Sequence, residues 1–147
     1  MTLRERITED MKTAMRAKDA ARLSAIRLLQ AAIKQKEVDE RITVDDATTV
    51  AIVEKLIKQR KDSIEQFDQA GRTDLADKER AELALLSGYL PPAMSEEELT
   101  VAIDAAIAST GAAGAKDMGK VMALLKPQLA GRADMSQVSQ QVKRRLG

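Results

Sequence analysis

Apolar residues recur at helical spacing along almost the whole chain, and no run alternates with a strand period. Leu3, Ile7, Met11 and Met15 return every four residues and predict a first helix. Thr2 and Glu5 have the spacing of a capping box at its start. Met11 and Met15 read as core filler. Ala17-Lys18-Asp19 interrupts the stripe, and Asp19 is placed to cap a second helix. That helix presents Leu23, Ile26, Leu28, Leu29 and Ile33 and is expected to run to about Glu37. Thr43 opens the longest element, with Asp45 and Asp46 in its first turn, where the helix dipole favours acids. Val50, Val53, Leu56, Ile57, Ile64 and Phe67 form its stripe, and Gly71 is the expected terminator. From Val44 to Ala70 such a helix is about 40 Å long. Its Lys55–Lys61 stretch reads as a solvated face with spaced pairs, Glu54 with Lys58 and Lys61 with Glu65. Thr73 caps a fourth helix with Leu75, Leu83, Leu86 and Leu90 inward and Lys78, Glu79, Arg80 and Glu82 on its outer face.

Tyr89-Leu90-Pro91-Pro92 ends this run. Two consecutive prolines remove two backbone donors and push the preceding residue out of the helical region. Tyr89 is expected to bury its ring and keep its hydroxyl wet or bonded. Beyond the break, Ser95 and Glu98 form a second capping box before Leu99, Ile103, Ala106 and Ile107. Gly111 and Gly114 bracket a loop. Asp117 can cap a sixth helix carrying Met118, Val121, Met122, Leu125 and Leu129, with Pro127 expected to end or kink it. Gly131-Arg132-Ala133-Asp134 reads as a turn, and Ser136 as the cap of a last helix with Val138, Val142 and Leu146. The expectation is an all-α protein: an N-terminal four-helix module over 1–90 with one long helix, then a C-terminal three-helix module over 91–147. Each helix must bury its one stripe against a neighbour.

Composition narrows the chemistry. The chain has no cysteine and no histidine, which removes thiol chemistry, the commonest metal ligand and the commonest neutral-pH base. With no Trp, one Tyr and one Phe, stacking of bases on aromatic side chains is nearly excluded. No long apolar run predicts a membrane span, and the N-terminus has no apolar signal core, so a cytoplasmic location is expected. Net charge is +1 but uneven. Residues 1–41 carry ten Lys/Arg against seven Asp/Glu, residues 42–110 seven against fourteen, and residues 111–147 seven against two. A basic tail points to an anionic partner, or to the ends folding on the acidic middle.

No catalytic constellation is present. Glu96, Glu97 and Glu98 are explained by a first helical turn, and Ser136 and Ser139 have no base to activate them. Phosphate loops, dinucleotide fingerprints and nucleophile elbows are missing. No cofactor, metal or membrane partner is implied. The tail offers Lys116, Lys120, Lys126, Arg132, Lys143, Arg144 and Arg145, opposed only by Asp117 and Asp134. Expected caps at Asp117 and Ser136 would set two helix N-termini beside these cations, and Gly119 and Gly131 would let a backbone come close. Such a site suits a phosphate backbone rather than base reading.

The combination of Lys58-Gln59-Arg60-Lys61-Asp62-Ser63, Phe67, Ala70-Gly71-Arg72, Asp74-Leu75-Ala76, Glu79, Glu82, Tyr89-Leu90-Pro91, Asp117-Met118-Gly119-Lys120-Val121-Met122 and Gly131-Arg132-Ala133-Asp134 resembles the YqeY family over essentially the whole chain. The resemblance implies a helical domain shared with the tail of the B subunit of the bacterial glutamine-dependent aspartyl/glutamyl-tRNA amidotransferase. There the tail contacts tRNA, while the kinase and amidase chemistry sits elsewhere. Carried over on matching positions are Asp117, Gly119 and Lys120, then Gly131, Arg132, Ala133 and Asp134. The family pattern has a glycine where this chain has Met135, and a positive backbone angle there would strain Met.

Three functions follow as expectations. The first is a non-catalytic accessory protein binding tRNA or another structured RNA through Lys116, Asp117, Gly119, Lys120, Lys126, Gly131, Arg132, Lys143 and Arg144. The second is an interaction adaptor for a translation-related protein. The third is carbon–nitrogen ligase activity with glutamine as donor, within a larger complex. The isolated chain lacks both a cysteine nucleophile and a Ser-rich amidase loop, and is not expected to be an enzyme.

Overall fold

The structure, a computed structural model, describes all 147 residues. Every regular element is helical: α1 (Leu3–Arg16), α2 (Ala20–Glu40), α3 (Asp46–Gln69), α4 (Thr73–Ser87), α5 (Glu96–Thr110), a 3₁₀ turn (Ala115–Asp117), α6 (Met118–Leu129) and α7 (Met135–Leu146). The chain divides into two compact units, Met1–Leu90 and Pro91–Gly147.

In the first unit the Thr2–Glu5 capping box opens α1. The Leu3 amide, still unpaired at that first turn, donates to Asp46 Oδ1 at 3.0 Å and so ties the start of α1 to the start of α3. Ile7 and Ala14 enter the core, whereas Met15 is 49% exposed; the stripe drifts off the inner face before the helix ends, so Met15 is not core filler. Two left-handed residues without the freedom of glycine, Lys18 (φ 55°) and Arg41 (φ 54°), close α1 and α2. The second helix continues to Glu40, one turn past the expected end. Glu37 explains the extra turn: it accepts from Arg4 at 2.7 Å and from the Val44 amide at 3.0 Å.

Asp45, not Thr43, caps α3. Its carboxylate accepts the Thr48 amide at 2.8 Å, and the Thr48 backbone and hydroxyl hold its pKa below the ordinary carboxylate value. Buried Thr49 satisfies its hydroxyl on the Asp45 carbonyl at 2.8 Å. At the other end Gly71 (φ 72°) turns the chain, with its amide donating to Asp68 O and the Arg72 amide to Phe67 O, a Schellman closure. Thr73 is the first residue of α4 rather than its cap; Arg72 at the cap position makes no side-chain cap bond to the helix backbone and instead donates from Nε and Nη2 to the Asp74 carboxylate in the first turn, both at 3.3 Å.

The α3–α4 packing corrects the outer-face reading of Glu79 and Glu82. Their side chains are 21% and 14% exposed and both meet Arg60 of α3, itself 16% exposed. Arg60 Nε donates to Glu82 Oε2 at 2.8 Å; Glu79 Oε2 lies 2.9 Å from the same nitrogen as an ion-pair contact, since one N–H hydrogen serves one acceptor well. Lys61 and Glu65 form no ion pair. Around this charged insert the core is aliphatic: Ile7, Ile26, Leu29, Val53, Leu56 and Leu86 are all buried. Tyr89 closes it from the end of α4. Its ring is buried, its hydroxyl donates to Asp10 Oδ2 at 2.6 Å, and the Arg6 guanidinium lies over the ring, 5.0 Å from the centroid.

In the second unit α5, α6 and α7 bury Leu99, Ile103, Val121, Leu125, Val138 and Val142 against one another. The Ser95–Glu98 capping box is formed, and Gly111 (φ 66°) ends α5. Pro127 does not stop α6, which runs to Leu129.

Two outcomes test the first unit. Arg60→Ala leaves two carboxylates facing each other in a half-dry contact, and should cost about 2–4 kcal/mol in urea unfolding, somewhat below the range for breaking a fully buried pair. Replacing Arg60, Glu79 and Glu82 together by Met, Leu and Leu should recover most of that loss. Burial and the Asp10 bond raise the Tyr89 pKa. The neutral hydroxyl therefore contributes stability fully below the unfolded pKa of about 10, and the contribution is lost as pH rises toward the native value. Absorbance titration of the native chain should lag that of the unfolded chain, and Tyr89→Phe should cost about 1–2 kcal/mol at neutral pH.

Candidate nucleic-acid interface

The second unit separates its charges by helix. The acids Glu96, Glu97, Glu98 and Asp104 all lie on α5, which carries no Lys or Arg. All seven cations lie beyond it, from the 3₁₀ turn to the end of α7.

Arginines and lysines behave differently there. Arg132, expected at a phosphate, is engaged inside the unit. Its Nε donates to the Pro92 carbonyl at 3.0 Å and its Nη2 to Glu98 Oε2 at 3.3 Å. Its own carbonyl accepts the Met94 amide at 2.9 Å. Arg132 thus straps the α6–α7 turn to the segment leading into α5. Gly131 (φ 74°) makes the turn that aims it there, a conformation glycine adopts freely. Arg145 on α7 is bound to Asp104 on α5. This pair joins residues 41 positions apart, and no local pattern announces it. Lys116, Lys120, Lys126, Lys143 and Arg144, by contrast, are exposed and form no ion pair.

These five do not share one stripe. Helix geometry sets Lys120 and Lys126 about 120° apart around α6, and Lys143 and Arg144 about 100° apart around α7. They spread over the outward arcs, giving a broad cationic surface. The space above Gly119 is open, with nothing within 4 Å of a Cβ built there.

The two helix N-termini depart from the expected capping. Asp117 does not cap α6 with its side chain; its Oδ2 accepts the Ala113 amide at 3.0 Å, because a 3₁₀ turn precedes the helix. Asp134, not Ser136, caps α7, accepting the Ser136 amide at 2.9 Å. An internal carboxylate already occupies that terminus. Met135 is the first residue of α7, and the positive angle falls at Gly131 instead, so no strain arises at Met135. No group of three or more acids is gathered closely enough to hold a metal ion, and no helix is long and apolar enough to cross a membrane.

The family model of Yqey-like proteins matches residues 4–146. This chain belongs to the YqeY family. Among its relatives are proteins named altered inheritance of mitochondria protein 41, mitochondrial. The one from Pyrenophora tritici-repentis is 32% identical over 97% of this chain and 80% of its own length. Those of Eremothecium gossypii and Saccharomyces cerevisiae are 41% and 38% identical over 67% and 63% of this chain. The chain covers 56% and 50% of those two proteins. These relatives are fungal and bear a mitochondrial name, where the composition pointed to a cytoplasmic location and the resemblance to a bacterial enzyme.

For this YqeY-family chain, Arg132→Ala should loosen the α6–α7 turn. Amide exchange within 91–147 should quicken, with a loss of about 1–2 kcal/mol for the charge-assisted bonds, while exchange in α3 stays unchanged.

Proposed function

We propose that this YqeY-family protein is a non-catalytic accessory factor that binds tRNA or another structured RNA through α6 and α7. One observation carries the reading: Lys116, Lys120, Lys126, Lys143 and Arg144 are exposed cations without an internal acid. Lysine is a hydrated, mobile point charge that suits phosphate contact without base reading. The chain's Phe67 and Tyr89 both lie in the first unit, so the second has no aromatic platform for bases. Arg132 and the α7 N-terminus, both engaged internally, fall outside the contact surface. Structured RNA occurs in the cytoplasm, the compartment expected from composition, and in mitochondria, the compartment in the relatives' names. The proposal holds in either.

A second reading, an adaptor for a translation-related protein, is favoured by Val101, which is 68% exposed on the acidic α5. Amide transfer with glutamine as donor would belong to a larger complex and not to this chain.

Binding of total tRNA by the full chain at two salt concentrations tests the first reading. Affinity should fall steeply with salt, because phosphate contacts release counterions. The variant Lys120→Ala, Lys126→Ala, Lys143→Ala should bind more weakly, with a log–log salt slope smaller by about 0.7–0.9 for each phosphate no longer neutralised. Equal binding by the triple variant overturns the assignment. A protein partner captured after nuclease treatment and absent with Val101→Glu selects the adaptor.

A further inference from the structure

The first unit has a small pocket, roughly 250 Å³, bounded by α1, α2 and α4. Its floor is apolar: Ile26 of α2 and Ala84 and Leu85 of α4, with Tyr89 beside them. Its polar groups are Arg6, Asp10 and Arg22. Two of these are already matched. Arg6 donates to the Gly88 carbonyl at 2.9 Å and covers the Tyr89 ring, and Asp10 accepts the Tyr89 hydroxyl and lies 4.0 Å from Arg6 Nε. The third is not. Arg22 is half-buried on the pocket wall, donates no side-chain hydrogen bond and forms no ion pair. A guanidinium carries five donors in a planar fork that fits an oxyanion with two oxygens.

We propose that this pocket takes a carboxylate with a short aliphatic body, its oxygens on Arg22 and its methylenes on the floor of Ile26, Ala84 and Leu85. The charge count favours a monoanion: Arg6 and Arg22 against Asp10 leave one net positive charge, and the Asp10 carboxylate repels a second negative one. The apolar floor disfavours a phosphodiester, whose strongly hydrated body gains nothing from it. The carboxylate comes from a small free acid or from an acidic side chain of a partner protein. The proposal is independent of RNA binding at α6 and α7.

Tyr89 is the chain's one tyrosine and there is no tryptophan, so intrinsic fluorescence reports this pocket directly. Full-length protein is titrated with butyrate and, separately, with N-acetylglutamate amide, at ionic strength held constant with chloride. A saturable change in Tyr89 emission, with a matching shift of the Arg22 Nε–Hε NMR signal, is expected. A response to butyrate alone assigns a free acid, and a response to the glutamate compound assigns a protein side chain. Arg22→Gln should weaken binding by about tenfold or more, as expected for removal of a charge-assisted pair. Arg27→Gln, exposed elsewhere on α2, should leave it unchanged. Asp10→Asn, which keeps an acceptor for Tyr89 but removes the opposing charge, should tighten it. A response matched by chloride alone, an undiminished response in Arg22→Gln, or no saturable response in the parent and in Asp10→Asn overturns the proposal.

Discussion

The fold depends on covering one aliphatic stripe per helix. With almost no aromatic bulk available, buried Leu, Ile, Val and Ala must do this, each larger side chain contributing about 1.5–3 kcal/mol when fully removed from water. Aliphatic side chains pack without direction, so they bring helices together but leave rotation and register loosely fixed. Pro91 and Pro92 deny the chain a helix spanning their position, and the stripes before and after them gather into separate cores.

Polar contacts supply the missing direction. In the first unit, Asp46 fixes where α1 starts, Glu37 fixes the exit from α2, and Arg60 fixes α3 against α4. The Tyr89 hydroxyl on Asp10 fixes the end of α4 against α1. Desolvating Arg60, Glu79 and Glu82 offsets much of their mutual attraction, so their contribution to stability is modest. Their geometric effect is larger. Sliding α4 by one residue against α3 would leave two carboxylates in the contact without a cation.

These polar contacts are also where sequence reading fell short. Local signals read well: the capping boxes at Thr2 and Ser95, the Asp19 cap, the Gly71 closure and the helical content all depend on residues within five positions of each other. Two helix starts read poorly. Asp45 rather than Thr43 caps α3, and Asp134 rather than Ser136 caps α7; in each case a carboxylate two residues from the expected position accepts a first-turn amide and shifts the start of the helix. Glu79 looked solvent-facing because charge suggests surface, yet it shares an inner face with Ala76, Leu83 and Leu86. The signal was available in the phase of that stripe; its partner, Arg60, lies on another helix and was not. Of the candidate site residues, the sequence located the exposed lysines but offered no means of separating Arg132 from them, since its acceptors lie 34 and 40 residues away.

That separation follows from how the two cations are solvated. Guanidinium is weakly hydrated and rigidly forked, so Arg132 and Arg145 give up little water to bind Glu98, Asp104 and a backbone carbonyl. Ammonium is tightly hydrated on a flexible stem, so Lys116, Lys120, Lys126 and Lys143 keep their water and stay outward. Because α5 holds most of the acids of this unit, and its partners are arginines, the internal pairing consumes the directional cations. What faces solvent on α6 and α7 is the diffuse charge of lysine, joined by Arg144. A surface of that kind attracts a polyanion over a Debye length and tolerates many local geometries, a property of sequence-independent phosphate binding rather than of a shaped pocket.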